Sequence, residues 1–401
     1  MKLDKNLGAR LVRSQEGTIS PKLPVTESSS PPAREAAHEV RAVSGAGREP
    51  VHDLQAQIAS RLDPRLELLR QAKVAEELGS RFVASVLNAA YRQLHKAPAT
   101  EALITGWQGD PSAAAVAMRL NAALHLLARR AASPALTALY QGRHDNFDSA
   151  IGMALASHDR LIVAAMAHPT QTNEVGRAAA LLSALLTVRR QFELPFELLE
   201  MGSSSGLNLN LGRYAYDLGG LKAGDQESSV KIRPQWRGNA PSFNSEIIIQ
   251  SARGVDLNPL DPADPVTAER LMSYVWADQP VRRTRLAAAL RLAQIYRPCV
   301  DRGNAAEWLA KQLLAPQGEV VRVVFHSMAL QYFSPQNKSA VHDAIMAAAT
   351  RATARQPLAR ISFEWNADRT AVDLTLSVWP GNETRILAQC EPYGGWIDWS
   401  G

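Results

Sequence analysis

One segment of the sequence, ELLEMGSSSGLNLNLGRY, combines an acidic residue with a run of glycine and serine. The apolar run that ends at Glu200 predicts a β-strand, and the residues after Gly206 predict a helix. Gly202 and Gly206 permit a tight turn and let a ligand approach the backbone closely. The helix start offers unpaired N–H groups and partial positive charge, which suit a phosphate or a carboxylate. The segment therefore predicts a ligand-binding loop.

The same segment resembles the nucleoside-binding loop of class I methyltransferases, which use S-adenosylmethionine. Glu200 and the glycines are in register with the pattern E-x-G-x-S-x-G, and the resemblance implies that the acid holds the amino group of the cofactor. GVDLNP resembles the end of the second strand, where Asp256 would take the ribose hydroxyls. DRGNAAEWL resembles the end of the third strand, where Asn304 would border the adenine. FHSMALQYF resembles the end of the fourth strand, where His326 and Ser327 would face the methyl donor.

The position of Asp256 departs from that pattern. It lies about 50 residues after the loop, where about 20 is usual in a dinucleotide-binding fold. The intervening RYAYDLGGLKAGDQESSVKIRPQWRGNAP would then be an insertion.

A serine hydrolase is the alternative enzyme. GSSSG also matches G-x-S-x-G, the nucleophile elbow of α/β-hydrolases, with Ser204 as the nucleophile. Such an elbow normally follows several strands, whereas this region has none before it. The only histidines after Ser204 are His326 and His342, and neither lies near the carboxyl terminus, where the last triad member is expected. A third interpretation is a non-catalytic or degenerate ligand-binding protein, in which the serines merely cap a helix.

The segment QTNEVGR precedes a predicted helix that leads into the first strand. Asn173, Glu174 and Arg177 would cover the cofactor pocket and bind substrate, or else Glu174 and Arg177 form a surface ion pair at a helix start. Farther along, Arg282 and Arg285 lie one helical turn apart. They would grip an anionic substrate, or else lie on a solvated helical face.

Two residues are predicted to take part in catalysis. His326 follows a buried strand and suits a general base near neutral pH, although a structural histidine at a strand end fits the same pattern. Glu364 ends the fifth strand and would line the acceptor pocket. The predicted cofactor-binding residues are Glu200, Gly202, Ser203, Ser204, Gly206, Asn208, Asp256, Asn304 and Ser327.

The elements that position these residues divide the chain into three parts. Residues 1–50 are rich in Ser, Pro and Arg and predict a flexible tail. Residues 51–192 show helical periodicity throughout and predict an all-helical domain that serves as a lid and selects the substrate. In residues 193–401, strands alternate with helices and a hairpin closes the series. This predicts a Rossmann-like, methyltransferase-type α/β sheet, mostly parallel with an antiparallel edge.

The overall composition excludes several classes of protein. Hydrophobic residues make up 46% and charged residues 21%, and the net charge is +5. The basic residues are scattered, so no nucleic-acid partner is expected. The two cysteines form no metal motif, so no metal is expected. The amino terminus lacks a signal-peptide core, and the longest apolar stretch is too short to span a bilayer. We expect a cytoplasmic protein that binds a small molecule and contacts no membrane.

Five blocks together resemble a bacterial family of uncharacterised proteins that is known only as a domain of unknown function. They are QTNEVGR, LLEMGSSSGLNLNLGRYAYDLGG, RGVDLNPLD, VWADQPVRRTRL and VVFHSMALQYF, and the resemblance covers about residues 66 to 400. The family reads EVGxSxGLNL at the loop, where Met201 replaces the valine. The family has no established activity, so this resemblance implies no reaction.

Overall fold

A computed structural model describes residues 63–241 and 246–401. The predicted tail, residues 1–50, lies outside the described residues. The first half is helical, as the periodicity predicts. Its α-helices are α1 (Leu66–Glu77), α2 (Arg81–Gln93), α3 (Pro98–Thr105), α4 (Val116–Arg129), α5 (Pro134–Tyr140), α6 (Phe147–Met166) and α7 (Ala178–Phe192).

Helices α1 to α6 share one apolar core. Leu68, Leu87, Leu120, Leu124 and Ile151 are all fully buried in it, and each such side chain contributes about 1.5–3 kcal/mol by leaving water. Helix α7 differs, because its buried side chains pack with those of the sheet. The division into a helical and a sheet domain therefore stays a prediction, with α7 belonging by its packing to the sheet.

The strands of the second half are β1 (Phe196–Met201), β2 (Ala215–Leu218), β3 (Leu221–Gly224), β4 (Lys231–Ile232), β5 (Gln235–Arg237), β6 (Ile249–Asp256), β7 (Val300–Arg302), β8 (Val321–Ser327), β9 (Leu358–Trp365), β10 (Val372–Trp379), β11 (Glu383–Cys390) and β12 (Trp396–Trp399). Nine of them form one sheet in the order β5-β12-β11-β10-β9-β8-β1-β6-β7. Strands β7, β6, β1, β8 and β9 run parallel, and β10, β11 and β12 follow in antiparallel pairing. The predicted mixed α/β sheet, mostly parallel with an antiparallel hairpin, is confirmed.

The remaining helices cover the two faces of this sheet. They are α8 (Pro265–Tyr274), α9 (Pro280–Ile295), α10 (Ala305–Leu314) and α11 (Pro335–Ala349). Residues 264–296 form two helices, α8 and α9, rather than one. The break lies before Pro280, which lacks an N–H group and disfavours the helical conformation at Gln279.

Strand β1 is the middle one of the five parallel strands β7-β6-β1-β8-β9, where the strand order reverses. Strands β6 and β7 lie on one side of β1, and β8 and β9 lie on the other. Phe196 and Leu198 of β1 face a core shared with α7 and α9, whereas Leu199 and Met201 face a core shared with α10 and α11. In open α/β sheets, ligands bind beyond the carboxyl ends of the strands at such a reversal. A ligand site is therefore expected at the loop after β1.

Candidate functional site

The loop after β1 is tightly packed. Gly202, Ser204 and Gly206 all have positive φ, at 69°, 55° and 71°. A Cβ atom at residue 202 would lie 2.6 Å from the Cβ of Ala329, and one at residue 206 would lie 2.6 Å from the Cβ of Pro298. Protein side chains, not open space, therefore face both glycines. This corrects the expectation that a ligand approaches bare backbone at these two positions.

The helix after the loop is also different from the prediction. It is a seven-residue 3-10 helix, Leu207–Arg213. Its first N–H group, from Leu207, donates to Oδ1 of Asn173 over 2.8 Å, and Ser205 Oγ donates to the same oxygen over 2.8 Å. Asn173 therefore caps the first N–H group of this helix, and the anion site predicted at the helix start stays a prediction. Asn173 positions the loop from a segment more than thirty residues upstream.

Asp256, at the end of β6, also binds the loop. Its Oδ2 accepts from the N–H of Ser204 over 2.8 Å, and its Oδ1 accepts from the N–H of Asn258 over 2.8 Å and from Nε2 of Gln171 over 3.2 Å. Both oxygens thus have protein partners, so Asp256 holds the loop in place. Its predicted contact with ribose hydroxyls remains a prediction. The long spacing between the loop and Asp256 is accounted for by an insertion that contains β2 to β5.

Glu200 and its neighbours carry buried polar atoms that lack partners. Glu200 and Asn208 are each 1% exposed, and Ser204 is 7% exposed. Within the described residues, Oε2 of Glu200, Oγ of Ser204 and both side-chain atoms of Asn208 have no hydrogen-bond partner. We call these three residues the Glu200 cluster. An unpaired buried polar group costs about 1–3 kcal/mol, so the cluster is suited to receive a polar ligand or water.

The environment of Glu200 changes its ionisation. Burial raises the pKa of its carboxyl group from 4.5 to about 8, and the nearby charge of Asp256 adds to this rise. The nearby Ser203 and Asn208 side chains act in the opposite direction. Neither makes a well-formed hydrogen bond to the carboxyl group, since Asn208 has no partner at hydrogen-bond distance and angle and Ser203 Oγ donates to the main-chain oxygen of Glu200 over 3.0 Å. Without a ligand, Glu200 is therefore largely protonated at neutral pH.

The two predicted catalytic residues contact each other. Arg360 Nη2 lies 3.2 Å from Nε2 of His326. Because a guanidinium only donates, this nitrogen accepts, and Nδ1–H donates to Oε1 of Glu364 over 2.8 Å. Burial lowers the pKa of His326. Burial by itself would raise the pKa of Glu364, but the hydrogen bond from His326 and two backbone donors lower it.

This pair lies on the opposite face of the sheet from the Glu200 side chain. Glu200 is opposite Phe325 in the β1–β8 register, and Met201 is opposite His326. Since side chains alternate along a strand, His326 and Glu200 point to different faces. With both ring nitrogens engaged, the structural interpretation of His326 fits the geometry, and a catalytic role for it and for Glu364 stays a prediction.

Glu174 is bound by two arginines from α9. Nε of Arg282 lies 2.6 Å from its Oε2, and Nη2 of Arg285 lies 2.9 Å from its Oε1. Burial by itself would raise the pKa of Glu174, but the two guanidinium groups lower it to about 2. The solvated face considered for Arg282 and Arg285 is wrong, because each side chain is only 10% exposed. The surface pair of Glu174 with Arg177 is also wrong, because both residues are buried and no ion-pair contact joins them in the described part of the chain, although their charges act on each other.

Arg177 instead joins the end of β8 to a turn near the carboxyl terminus. Its Nη1 donates to the main-chain oxygen of Ser327 over 3.1 Å, and its Nε donates to that of Pro392 over 2.9 Å. Tyr393, next in that turn, has its ring 3.7 Å from the guanidinium of Arg282. The sequence signal for this turn is the aromatic, glycine-rich EPYGGW.

Asn304 lies at the start of α10, one residue after Gly303, whose N–H donates to the main-chain oxygen of Asp256 over 3.0 Å. Oδ1 of Asn304 accepts from the N–H of Ala306 over 2.9 Å and so caps α10. A role beside an adenine ring stays a prediction.

Two cavities have been located within the described residues. One, bordered by Asn173, Glu174 and Tyr274, holds about 10 Å³, which is room for about one water molecule. The other holds about 640 Å³ and is bordered by Leu182, Lys222 and Glu246. It lies toward the start of β1, at the opposite edge from the loop, and sequence reasoning did not find it.

Together, the fold and the loop define a mixed α/β protein with a buried polar site where the strand order of its sheet reverses. The chain belongs to the family described as "Uncharacterized protein conserved in bacteria (DUF2332)", whose model matches residues 65–399. The predicted membership of a bacterial family of uncharacterised proteins is thereby confirmed. Comparisons with curated proteins and with solved structures gave no match. Within the described residues, no helix has the length and apolarity needed to cross a membrane.

Proposed function

We propose that this protein binds S-adenosylmethionine at the carboxyl end of β1 and transfers its methyl group to an acceptor. One observation carries the proposal: the Glu200 cluster keeps buried, unpartnered polar atoms at the point where the sheet order reverses. The parallel order β7-β6-β1-β8-β9 supports the Rossmann-like part of the proposal, because ligands bind at the reversal in such sheets.

The cluster suits the amino group of this cofactor. A carboxylate accepts from an ammonium group, and the free Oε2 of Glu200 and Oδ1 of Asn208 are acceptors. Glu200 is largely protonated in the free protein, because burial raises its pKa to about 8. Binding of a cation favours the ionised form, so binding releases a proton. When bound, the cofactor supplies an activated methyl group.

The other predicted cofactor residues fit less directly. A side-chain oxygen of Asp256 accepts from the loop, and the side-chain oxygen of Asn304 accepts from the start of α10. We therefore assign these two residues to positioning the loop and the helix. The protein's contribution to methyl transfer is then orientation of the two reactants and exclusion of water, which contributes up to roughly 7–11 kcal/mol. Helices α1 to α6 serve in this proposal as the lid that selects the acceptor.

A serine hydrolase is the second candidate. The positive φ of Ser204 favours it, because a nucleophile elbow places its serine on a strained turn. Ser204 Oγ, however, has no partner within the described residues, and both ring nitrogens of His326 are engaged. The arrangement therefore gives Ser204 no base, and methyl transfer remains the better proposal.

Calorimetric titration with S-adenosylmethionine and with its demethylated product tests the proposal. We expect saturable binding that Glu200→Gln weakens at least tenfold, since a charge-assisted hydrogen bond contributes about 1.5–3 kcal/mol. Glu227→Gln, at an exposed position, is the matched control and should bind like the wild type. The apparent enthalpy should change with the ionisation enthalpy of the buffer, because a proton leaves Glu200.

Three results separate the candidates. If the wild type binds neither compound at about 1 mM, the proposal fails and a non-catalytic or degenerate protein is favoured. Labelling of Ser204 by a fluorophosphonate would instead support the hydrolase. Binding that is equal in the Glu200→Gln and Glu227→Gln variants would remove the Glu200 cluster from the site.

A further inference from the structure

Three arginines surround Glu174 at the same edge of the sheet. We call Arg177, Arg282 and Arg285 the arginine cluster. Arg177 is 7% exposed, and the side chains of the other two are each 10% exposed. Arginine is almost never buried to this extent unless it is paired.

The cluster holds more positive charge than its neighbours balance. Glu174 supplies one carboxylate to Arg282 and Arg285, whereas the named partners of Arg177 are two uncharged carbonyl oxygens. The charge of Glu364 also reaches Arg177, but that carboxylate is bound by His326. Glu200 is also within electrostatic reach of Arg177, but burial raises its pKa to about 8 and keeps it largely protonated at neutral pH. Two carboxylates, Glu174 and Glu364, therefore face three guanidinium groups. A buried surplus charge is costly, so an anion would complement the cluster.

A second, independent observation points to a ligand. Nε of Arg285 is buried and has no hydrogen-bond partner in the described part of the chain. Gly176 gives this guanidinium its room, since a Cβ there would lie 2.5 Å from Nη2 of Arg285. The fold therefore leaves room for the guanidinium of Arg285 but places no acceptor at its Nε–H group within the described residues.

The arginine cluster adjoins the Glu200 cluster. Arg177 donates to the main-chain oxygen of Ser327, where β8 ends beside β1. Its guanidinium lies 6.0 Å from the ring centre of Phe363, whose side chain packs on the same face of the sheet to which Glu200 points. The charge of Arg177 also acts on Glu200. An anion at the cluster would thus lie next to the proposed cofactor site.

We propose that the arginine cluster is an anion-binding subsite that takes the carboxylate or phosphate group of a small acidic ligand. Guanidinium groups suit both anions because their donors match two oxygens at once. The identification of this ligand as the methyl acceptor rests on the proposed function, whereas anion binding itself does not. The Tyr393 ring covers the guanidinium of Arg282, and the main-chain oxygen of Pro392 accepts from Arg177, so this turn would have to move for one anion to reach all three arginines.

Titration with inorganic phosphate and with malonate, against chloride at matched ionic strength, tests the subsite by calorimetry and by thermal unfolding. The wild type should bind at least one of the two probes saturably, and the tighter probe identifies a phosphate or a carboxylate as the natural group. Arg285→Gln should weaken this binding at least tenfold, because a charge-assisted hydrogen bond is lost. Arg291→Gln, at an exposed position on the same helix, removes equal charge and should bind as the wild type does.

Arg285→Lys is a second test that applies if Arg285→Gln does not fold. It keeps the charge beside Glu174 but lacks the planar fork, so its affinity should lie between that of the wild type and that of Arg285→Gln. Absence of saturable binding to both probes in the wild type would overturn the subsite. An equal response from Arg285→Gln and Arg291→Gln would also overturn it.

A crossed titration separates this inference from the proposed function. Glu200→Gln should lose S-adenosylmethionine and keep the anion probe, and Arg285→Gln should do the reverse. Anion binding without S-adenosylmethionine binding would leave the subsite standing while the methyltransferase proposal fails. S-adenosylmethionine binding without anion binding would overturn the subsite alone.

Discussion

Glu200 makes a prediction that needs no ligand. Its carboxyl group is 1% exposed, and burial raises its pKa from 4.5 to about 8. In the unfolded chain the same group ionises near 4.5. At a pH between 4.5 and about 8, the Glu200 carboxyl group is ionised in the unfolded chain but protonated in the folded protein. The stability associated with protonated Glu200 is therefore complete at low pH and is lost as the pH rises through about 8.

The magnitude follows from the interval between the two values. At about 1.4 kcal/mol for each pH unit, the interval from 4.5 to about 8 corresponds to roughly 5 kcal/mol. From about pH 5 to about pH 9, most of this, roughly 4 kcal/mol, should be lost from the free energy of unfolding. Glu200→Gln cannot ionise, so the variant should not show this loss.

The measurement is urea-induced unfolding of the wild type and of Glu200→Gln at several pH values. The informative quantity is the difference in their free energies of unfolding, because all other titrating groups are shared. The difference should change in favour of the variant as the pH rises. A difference that stays constant from about pH 5 to about pH 9 would refute the reasoning, since Glu200 would then titrate like an exposed carboxyl group.

Three further predictions concern positioning and stability. Gly176→Ala should destabilise the fold by about 1–3 kcal/mol, because its Cβ would lie 2.4 Å from a neighbouring main-chain oxygen; Gly318→Ala, where nothing lies within 4 Å, is the control in chemical unfolding. Asn173→Ala should cost about 1–3 kcal/mol, because the 3-10 helix after the loop loses its cap; an unchanged melting temperature would contradict the capping role. His326→Gln should lose less stability than the wild type when the pH falls below about 6.5. Burial lowers the pKa of His326, so in the wild type the unfolded chain takes up a proton at a higher pH than the folded protein does. Identical acid unfolding curves would contradict this.

The sequence by itself determined the elements whose signal is local. The apolar runs of β1 and β8 predicted buried strands, and each lies between two other strands in the parallel part of the sheet. The paired runs around residues 381 and 382 predicted a hairpin, and β10 pairs with β11 there. The position of the loop also followed from the order of a strand, glycines and serines. Short elements such as β4 and β12 were not predicted, because a run of two to four residues carries no periodicity.

Only the tertiary structure decided which of the predicted residues meet. Glu174 binds arginines more than 100 residues away, and Asn173 caps a helix more than thirty residues downstream. Strand register decided that Glu200 and His326 point to opposite faces of the sheet. Strand and helix propensities depend on neighbours in the chain, whereas partners, burial and ionisation depend on how distant segments pack together. The residue types at this site were therefore visible in the sequence, but their contacts were not.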